Sequence, residues 1–171
     1  MSTEKLFKKY PVRQIGYYVK DVKEAAKLHS QLFGSGPYLV MENLKFDQVS
    51  YRGKKSDIVQ SVSMGQWGDV QVEFCAQHSP EPSYYTDLGH YGIHHFCIWS
   101  DDVNATIKEF QDAGYELAEM METQGMKFAI IDCTKDLGHF VEIHLPMVES
   151  YANVKAMSEG FDGKDVLRSL G

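Results

Sequence analysis

The amino-acid sequence predicts an α+β fold: two tandem βαβββ modules forming one curved mixed sheet, with a concave cup inside and helices outside. Three observations carry that expectation. A nine-residue segment recurs 81 residues further along the chain. Each copy leads into apolar residues at helical spacing. Each helical stretch is followed by strand-like runs, and one module alone could not bury its apolar sheet face.

The repeat is Gln14-Ile-Gly-Tyr-Tyr-Val-Lys-Asp-Val22 against His95-Phe-Cys-Ile-Trp-Ser-Asp-Asp-Val103, aligned without a gap. Both copies read as a short strand ending in Asp-Val. The Asp before each helix is a good N-cap, because its carboxylate accepts backbone N–H groups that have no helical partner. After the first copy, Ala25, Ala26, Leu28, Leu32 and Phe33 predict a helix over about Val22–Phe33, stopped at Gly34-Ser35-Gly36-Pro37. After the second, Val103, Ile107, Phe110 and Ala113 predict one over about Val103–Ala113, stopped at Gly114.

Strand-like segments follow at Tyr38–Met41, Phe46–Tyr51, Val59–Met64 and Val70–Ala76, then at Tyr115–Met121, Phe128–Asp132 and His139–Leu145. Pro80, Pro82 and Gly89 divide the modules, giving module one about 10–78 and module two about 90–147 within a domain over 1–147. Residues 148–171 read as a C-terminal helical extension, through Val154–Met157 and Val166–Leu170. That tail is spare material for covering an edge or a partner subunit, and a homodimer is expected.

Bulk properties exclude several classes. The 171 residues are 43% apolar, enough for a core. The net charge is −7 and the 17 Lys and Arg are scattered, so neither nucleic acid nor an anionic membrane is an expected partner. The opening Met1-Ser2-Thr3-Glu4-Lys5 leads into no apolar secretory core. No apolar run approaches the roughly 18 residues of a spanning helix. Cys75, Cys97 and Cys133 are odd in number and lack CxxC spacing, which suits reduced residues and a cytoplasmic location.

Side chains alternate across a strand, so residues two apart share a face. Gln14, Gly16 and Tyr18 share one, as do Gln71, Glu73 and Cys75; His95, Cys97 and Trp99; and Glu142 and His144. The opposite faces are apolar and suit helix packing. The first set carries amides, carboxylates and imidazoles but no Lys or Arg, more like a lined pocket than a solvated sheet. Gln14, Glu73, His95 and Glu142 each stand at mid-strand on it. Such donors, two of them carboxylates, suit one divalent ion: Zn, Ni, Co, Mn or Fe(II). Taken singly, a strand Glu is usually solvated and a core His usually hydrogen-bonded. One fold hypothesis bringing all four together is the stronger signal.

The segment Tyr91-Gly-Ile-His-His-Phe-Cys-Ile-Trp-Ser-Asp-Asp-Val103 resembles the second-module opening of methylmalonyl-CoA epimerases and related glyoxalase-like proteins of the vicinal oxygen chelate superfamily. Gln14-Ile-Gly-Tyr-Tyr-Val-Lys-Asp resembles their first opening, and Gly138-His-Phe-Val-Glu-Ile143 their last strand. Phe33–Tyr38 and Val70–Phe74 fit between, so the resemblance spans roughly 10–147. It implies paired βαβββ modules, a glyoxalase-like domain, frequent dimers, and a metal held by Gln14, Glu73, His95 and Glu142. The donor order departs from the His, Gln, His, Glu of epimerases and is closer to zinc-type lactoylglutathione lyases.

The expected activity is metal-dependent proton transfer next to a carbonyl, by an isomerase, epimerase or lyase, with Glu142 and Glu73 as acid and base. The substrate is a small-molecule carbonyl compound, either bulky and apolar or linked to CoA. The alternative is a metal-free ligand-binding, sequestering protein of the same fold. Tyr18, Trp99, Cys97, Phe140 and His144 are expected to line the substrate space. His94 is expected on the helix side, and His90, Tyr84 and Tyr85 on ordinary surface between the modules.

Overall fold

A computed structural model describes residues 9–169. Module one runs β1 (Val12–Tyr18), α1 (Val22–Phe33), β2 (Tyr38–Lys45), β3 (Gln48–Tyr51), β4 (Lys54–Ser56), β5 (Val59–Trp67) and β6 (Val70–Gln77). A one-turn helix, α2 (Tyr84–Asp87), separates it from module two. Module two runs β7 (Gly92–Trp99), α3 (Val103–Asp112), β8 (Glu116–Thr123), β9 (Met126–Asp132), α4 (Thr134–Leu137) and β10 (Phe140–His144). The tail forms α5 (Val148–Ser158) and β11 (Leu167–Ser169).

Both predicted helices form where their caps place them. Asp21 accepts from the amides of Lys23 and Glu24 at 2.8 and 3.0 Å, and Asp102 from Ala105 N at 2.9 Å. Each cap is worth about 1 kcal/mol. Gly34, at φ 67°, ends α1 in the left-handed conformation that glycine adopts without a Cβ penalty.

Among the described residues one curved, unclosed sheet holds eleven strands, ordered β11-β2-β5-β6-β1-β7-β10-β9-β8-β3-β4. The modules meet where β1 runs antiparallel to β7, with β6 parallel to β1 on one side and β10 parallel to β7 on the other. Helix α1 packs Val22 and Ala26 onto Val72 and Phe74. Helix α3 packs Val103 and Ile107 onto Ile98, Val141 and Ile143. Those are the apolar faces that alternation predicts, so the opposite faces line the cup. No described helix is long and apolar enough to cross a membrane.

The chain covers its own sheet edges, which the repeat does not reveal. Strand β3, within the first half of the sequence, crosses to pair with β8 of module two, Gln48 opposite Glu122 and Tyr51 opposite Glu119. The loop before it is tied across the cup, with Asp47 N donating to Glu122 O and Gln124 N to Asp47 Oδ2, both at 2.8 Å. The other edge is covered by Leu167–Ser169, expected as helix but paired in parallel with Tyr38–Val40. An edge with unpaired backbone groups overrides weak helical spacing in so short a segment. Leu170 lies outside the described residues. Helix α5 forms and packs against β5 and β6, so part of the tail covers the cup.

Candidate metal centre

The strand registers build the site from the middle of the sheet. Gly16 lies opposite His95 across the β1–β7 pair and beside Glu73 across β1–β6. Cys97 lies opposite Gln14 and beside Glu142 across β7–β10. The two arrangements mirror each other: Gln14 and His95 are equivalent positions of the repeat, and so are Glu73 and Glu142 on the flanking strands. Three donors from three strands, Glu73, His95 and Glu142, therefore come together, and Gln14 borders the same cavity.

The distances agree. Glu73 Oε2 and Glu142 Oε2 stand 3.4 and 3.6 Å from His95 Nε2. Donor atoms of the three residues all lie within 4.8 Å of one another. Ligands about 2 Å from one tetrahedral ion are themselves about 3.4 Å apart. His95 is fully buried, and both its ring nitrogens lack hydrogen-bond partners. An orphaned buried nitrogen facing two carboxylates fits a divalent cation, which would satisfy the nitrogen and neutralise the pair.

Electrostatics set the proton affinities of these groups. Burial opposes a charged His95, yet the Glu73 contact and the Glu142 charge outweigh it and raise its pKa. Burial also raises Glu142, with His95 pulling against and Glu73 adding to the shift. Cys97 is held well above the usual thiol range by burial and then by Glu142, so it stays a neutral thiol. It belongs with Glu142 and His144 to a second group of donor atoms within 4.8 Å of one another.

Gln14 lines the same cavity as Glu73, Glu142 and His144. Its Nε2 donates to Gln71 Oε1 at 2.5 Å, which leaves the amide oxygen as the atom available to the site. His144 Nδ1 lies 2.6 Å from Leu145 O; donation there leaves Nε2 as the lone-pair nitrogen. Sequence reasoning assigned no role to Gln71, or to Gly16, where a Cβ would lie 2.0–2.5 Å from His95 ring atoms. A mid-strand glycine commonly marks such a close approach, and that signal was present in Gln14-Ile-Gly.

The cup is half filled. Tyr84 and Tyr85 are buried rather than at the surface, because α2 folds inward and its first turn is held by Glu119, whose Oε2 accepts from Tyr84 N at 2.9 Å. Their rings displace two of the expected lining residues, Tyr18 and Phe140, from the remaining cavity, and Tyr151 covers two more, Cys97 and Trp99. Tyr18 stacks on Tyr85 with ring centres 5.2 Å apart, and Phe140 meets Tyr84 edge-on at 5.7 Å. Cys97 is sealed beneath Tyr151 of α5, whose hydroxyl points to its sulfur at 3.8 Å. Trp99 packs between Tyr151 and Arg13. Of the five expected lining residues only His144 borders the cavity.

His94 is on the cup side as well. The β1–β7 register shifts between Gly16 and Tyr17, a bulge that breaks strict alternation. His94 then stacks on Phe140 at 5.1 Å, with Nε2 2.9 Å from Tyr84 O. Burial, and then the neighbouring His95, lower its pKa to about 3, so it is a neutral packing residue.

The cavity that remains measures about 390 Å³. Its floor is Gln14, Glu73, Glu142 and His144, and its walls come from β2, β5, β8, β9 and α5. Fold and donor set together define a cupped, paired-module protein with a candidate metal centre. The chain belongs to the glyoxalase/bleomycin resistance protein/dioxygenase superfamily, whose profile matches residues 13–130. Among solved structures, the methylmalonyl-CoA epimerase from Mycobacterium tuberculosis is similar with TM-score 0.52 and 14% identity, over 82% of this chain and 91% of that one. The hypothetical protein BH1468 from Bacillus halodurans C-125 is similar with TM-score 0.50 and 15% identity, over 80% and 94%. At these identities the likeness shows the fold. No curated protein sequence matches the chain significantly.

Proposed function

We propose that the protein is a metal-dependent isomerase or epimerase that moves a proton next to a substrate carbonyl. The observation that carries this is the pair of carboxylates, Glu73 and Glu142, flanking one buried imidazole nitrogen at 3.4 and 3.6 Å. Gln14, Glu73, His95 and Glu142 would hold one divalent ion, which would supply Lewis-acid stabilisation of the charge developing on the carbonyl oxygen.

The chain's own groups supply the rest. Glu142 in its ionised form accepts a proton from the carbon next to the carbonyl, and its burial raises its proton affinity toward that of a useful base. Glu73 approaches from the symmetry-related strand on the other side of β1 and β7. With Glu142 as the base and Glu73 as the acid, a proton removed from one face of the carbon and returned to the other gives epimerisation. Tyr84, Tyr85 and Tyr151 border the space with aromatic rings that would limit the water around the proton in transit. This reading includes a homodimer, checked by light scattering at micromolar concentration, where a monomer removes it.

The test is hydrogen exchange in D2O, followed by NMR, on a panel of carbonyl compounds with zinc- or manganese-loaded protein. Deuterium should enter at the carbon next to the carbonyl, and Glu142→Ala should abolish it. Saturable binding with no exchange across the panel would favour a sequestering protein instead.

A further inference from the structure

The cavity walls carry information about the substrate that the floor does not. Five of the chain's eight methionines, Met41, Met64, Met121, Met126 and Met147, border it. Unbranched thioether side chains give a wall that is apolar, polarisable and able to repack around different shapes. Such a wall favours a class of hydrophobic compounds over one polar shape.

The charges point the same way. Among the described residues that border the cavity the only cation is Lys45, while Glu73 and Glu142 occupy the floor. The two arginines nearest the cup are committed elsewhere. Arg52 Nη2 holds Asp87 and Asp132, each at 2.7 Å, and its Nη1 reaches Glu116 at 3.4 Å. Arg13 lies over the Trp99 ring, 4.7 Å from its centre, and borders a separate surface groove with Ser100 and Asp102. A nucleotide thioester or a glutathione conjugate carries several negative charges that need paired cations. Those cations are not offered along this wall.

We infer that the cavity takes an uncharged, apolar carbonyl compound, with its hydrocarbon body among the methionines and its oxygen toward the floor, in preference to a CoA- or glutathione-linked substrate. The volume of about 390 Å³ is that of a pocket for a drug-sized ligand. The orientation of the oxygen rests on the proton-transfer reading; the preference for an apolar, uncharged body does not.

The probe is 6-propionyl-2-(dimethylamino)naphthalene, a neutral naphthyl ketone whose emission shifts to the blue in apolar surroundings. It is titrated into the full chain, with and without added zinc. Saturable, blue-shifted binding in the micromolar range is expected in both conditions. Met126→Lys at the rim and Met64→Lys on β5 should each weaken it at least tenfold, while circular dichroism reports whether the fold is kept. Acetyl-CoA and S-lactoylglutathione at 1 mM, roughly a thousand times a micromolar binding constant, should leave the signal unchanged. Absence of saturable binding, or displacement by either anion at up to 1 mM, overturns the inference. Metal content is read separately on the same samples. Ketone binding without metal would leave this inference standing and remove the catalytic reading, and metal without ketone binding would do the reverse.

Discussion

The His95 ring fills the space that a side chain on Gly16 would take. The two residues face each other across the β1–β7 pair, and the His95 ring lies where a Cβ on residue 16 would be, 2.0–2.5 Å from three ring atoms. The imidazole reaches the centre of the cup because the strand beneath it has no side chain.

Gly16→Ala should therefore displace His95 rather than merely crowd it. The ring is fully buried, with Tyr84 and His94 packed around it, so it has little room to retreat. We expect a loss of about 1–3 kcal/mol, the usual cost of overpacking a filled core. Zinc affinity should fall in the same variant. Urea denaturation and zinc titration check both, and an unperturbed site would show that the ring can move freely.

Gln71 holds the Gln14 amide nitrogen through a 2.5 Å hydrogen bond and is itself buried. Gln71→Leu should preserve the fold and weaken metal affinity by about 10–100-fold, the usual effect of losing a group that orients a ligand. Competition with a chromophoric chelator measures it. An unchanged affinity would remove Gln14 from the ligand set.

Glu119 sets a pH dependence that is independent of any metal. Its carboxyl is buried, and burial raises its pKa from 4.5 to about 7, with the Tyr84 amide opposing and Asp87 adding. Below pH 4.5 the group is protonated in both folded and unfolded chains and costs nothing. As pH rises to about 7 the unfolded chain ionises first, so stability falls, by about 3 kcal/mol once the folded carboxyl has ionised too. Glu119→Gln resembles the protonated form. Its stability relative to the parent should grow between pH 4.5 and about 7 and then level off. Chemical denaturation at pH 5, 6, 7 and 8 tests this, and a difference that shrinks with rising pH would contradict it.

The fold was legible wherever local chemistry agrees with the tertiary arrangement. The Asp-Val turns, the apolar spacing after them and the glycine stop of α1 put Val22–Phe33 where the helix lies, and Val103–Asp112 within one residue. Alternation placed Glu73 and Glu142 correctly because β6 and β10 pair without a register shift, and His95 because it lies on the regular side of the bulge. It failed at His94, where the bulge opposite Gly16 turns consecutive residues toward the same side. It also missed the inward turn of Tyr84 and Tyr85, which depends on Glu119 from a strand 35 residues away. Long-range edge pairing likewise governs Gln48–Tyr51 and Leu167–Ser169, whose own residues do not specify their partners.

Metal content is the most direct test of the central claim. The full chain, prepared without chelators and dialysed against zinc, manganese, nickel or cobalt, is assayed by inductively coupled plasma mass spectrometry. About one ion per chain is expected for at least one of these metals, from a single four-strand site. Binding should be lost in His95→Ala and Glu142→Ala and kept in His94→Gln, whose side chain packs without facing the donor pair. Metal at background level in the parent chain for all four ions, or retained in both alanine variants, would contradict it.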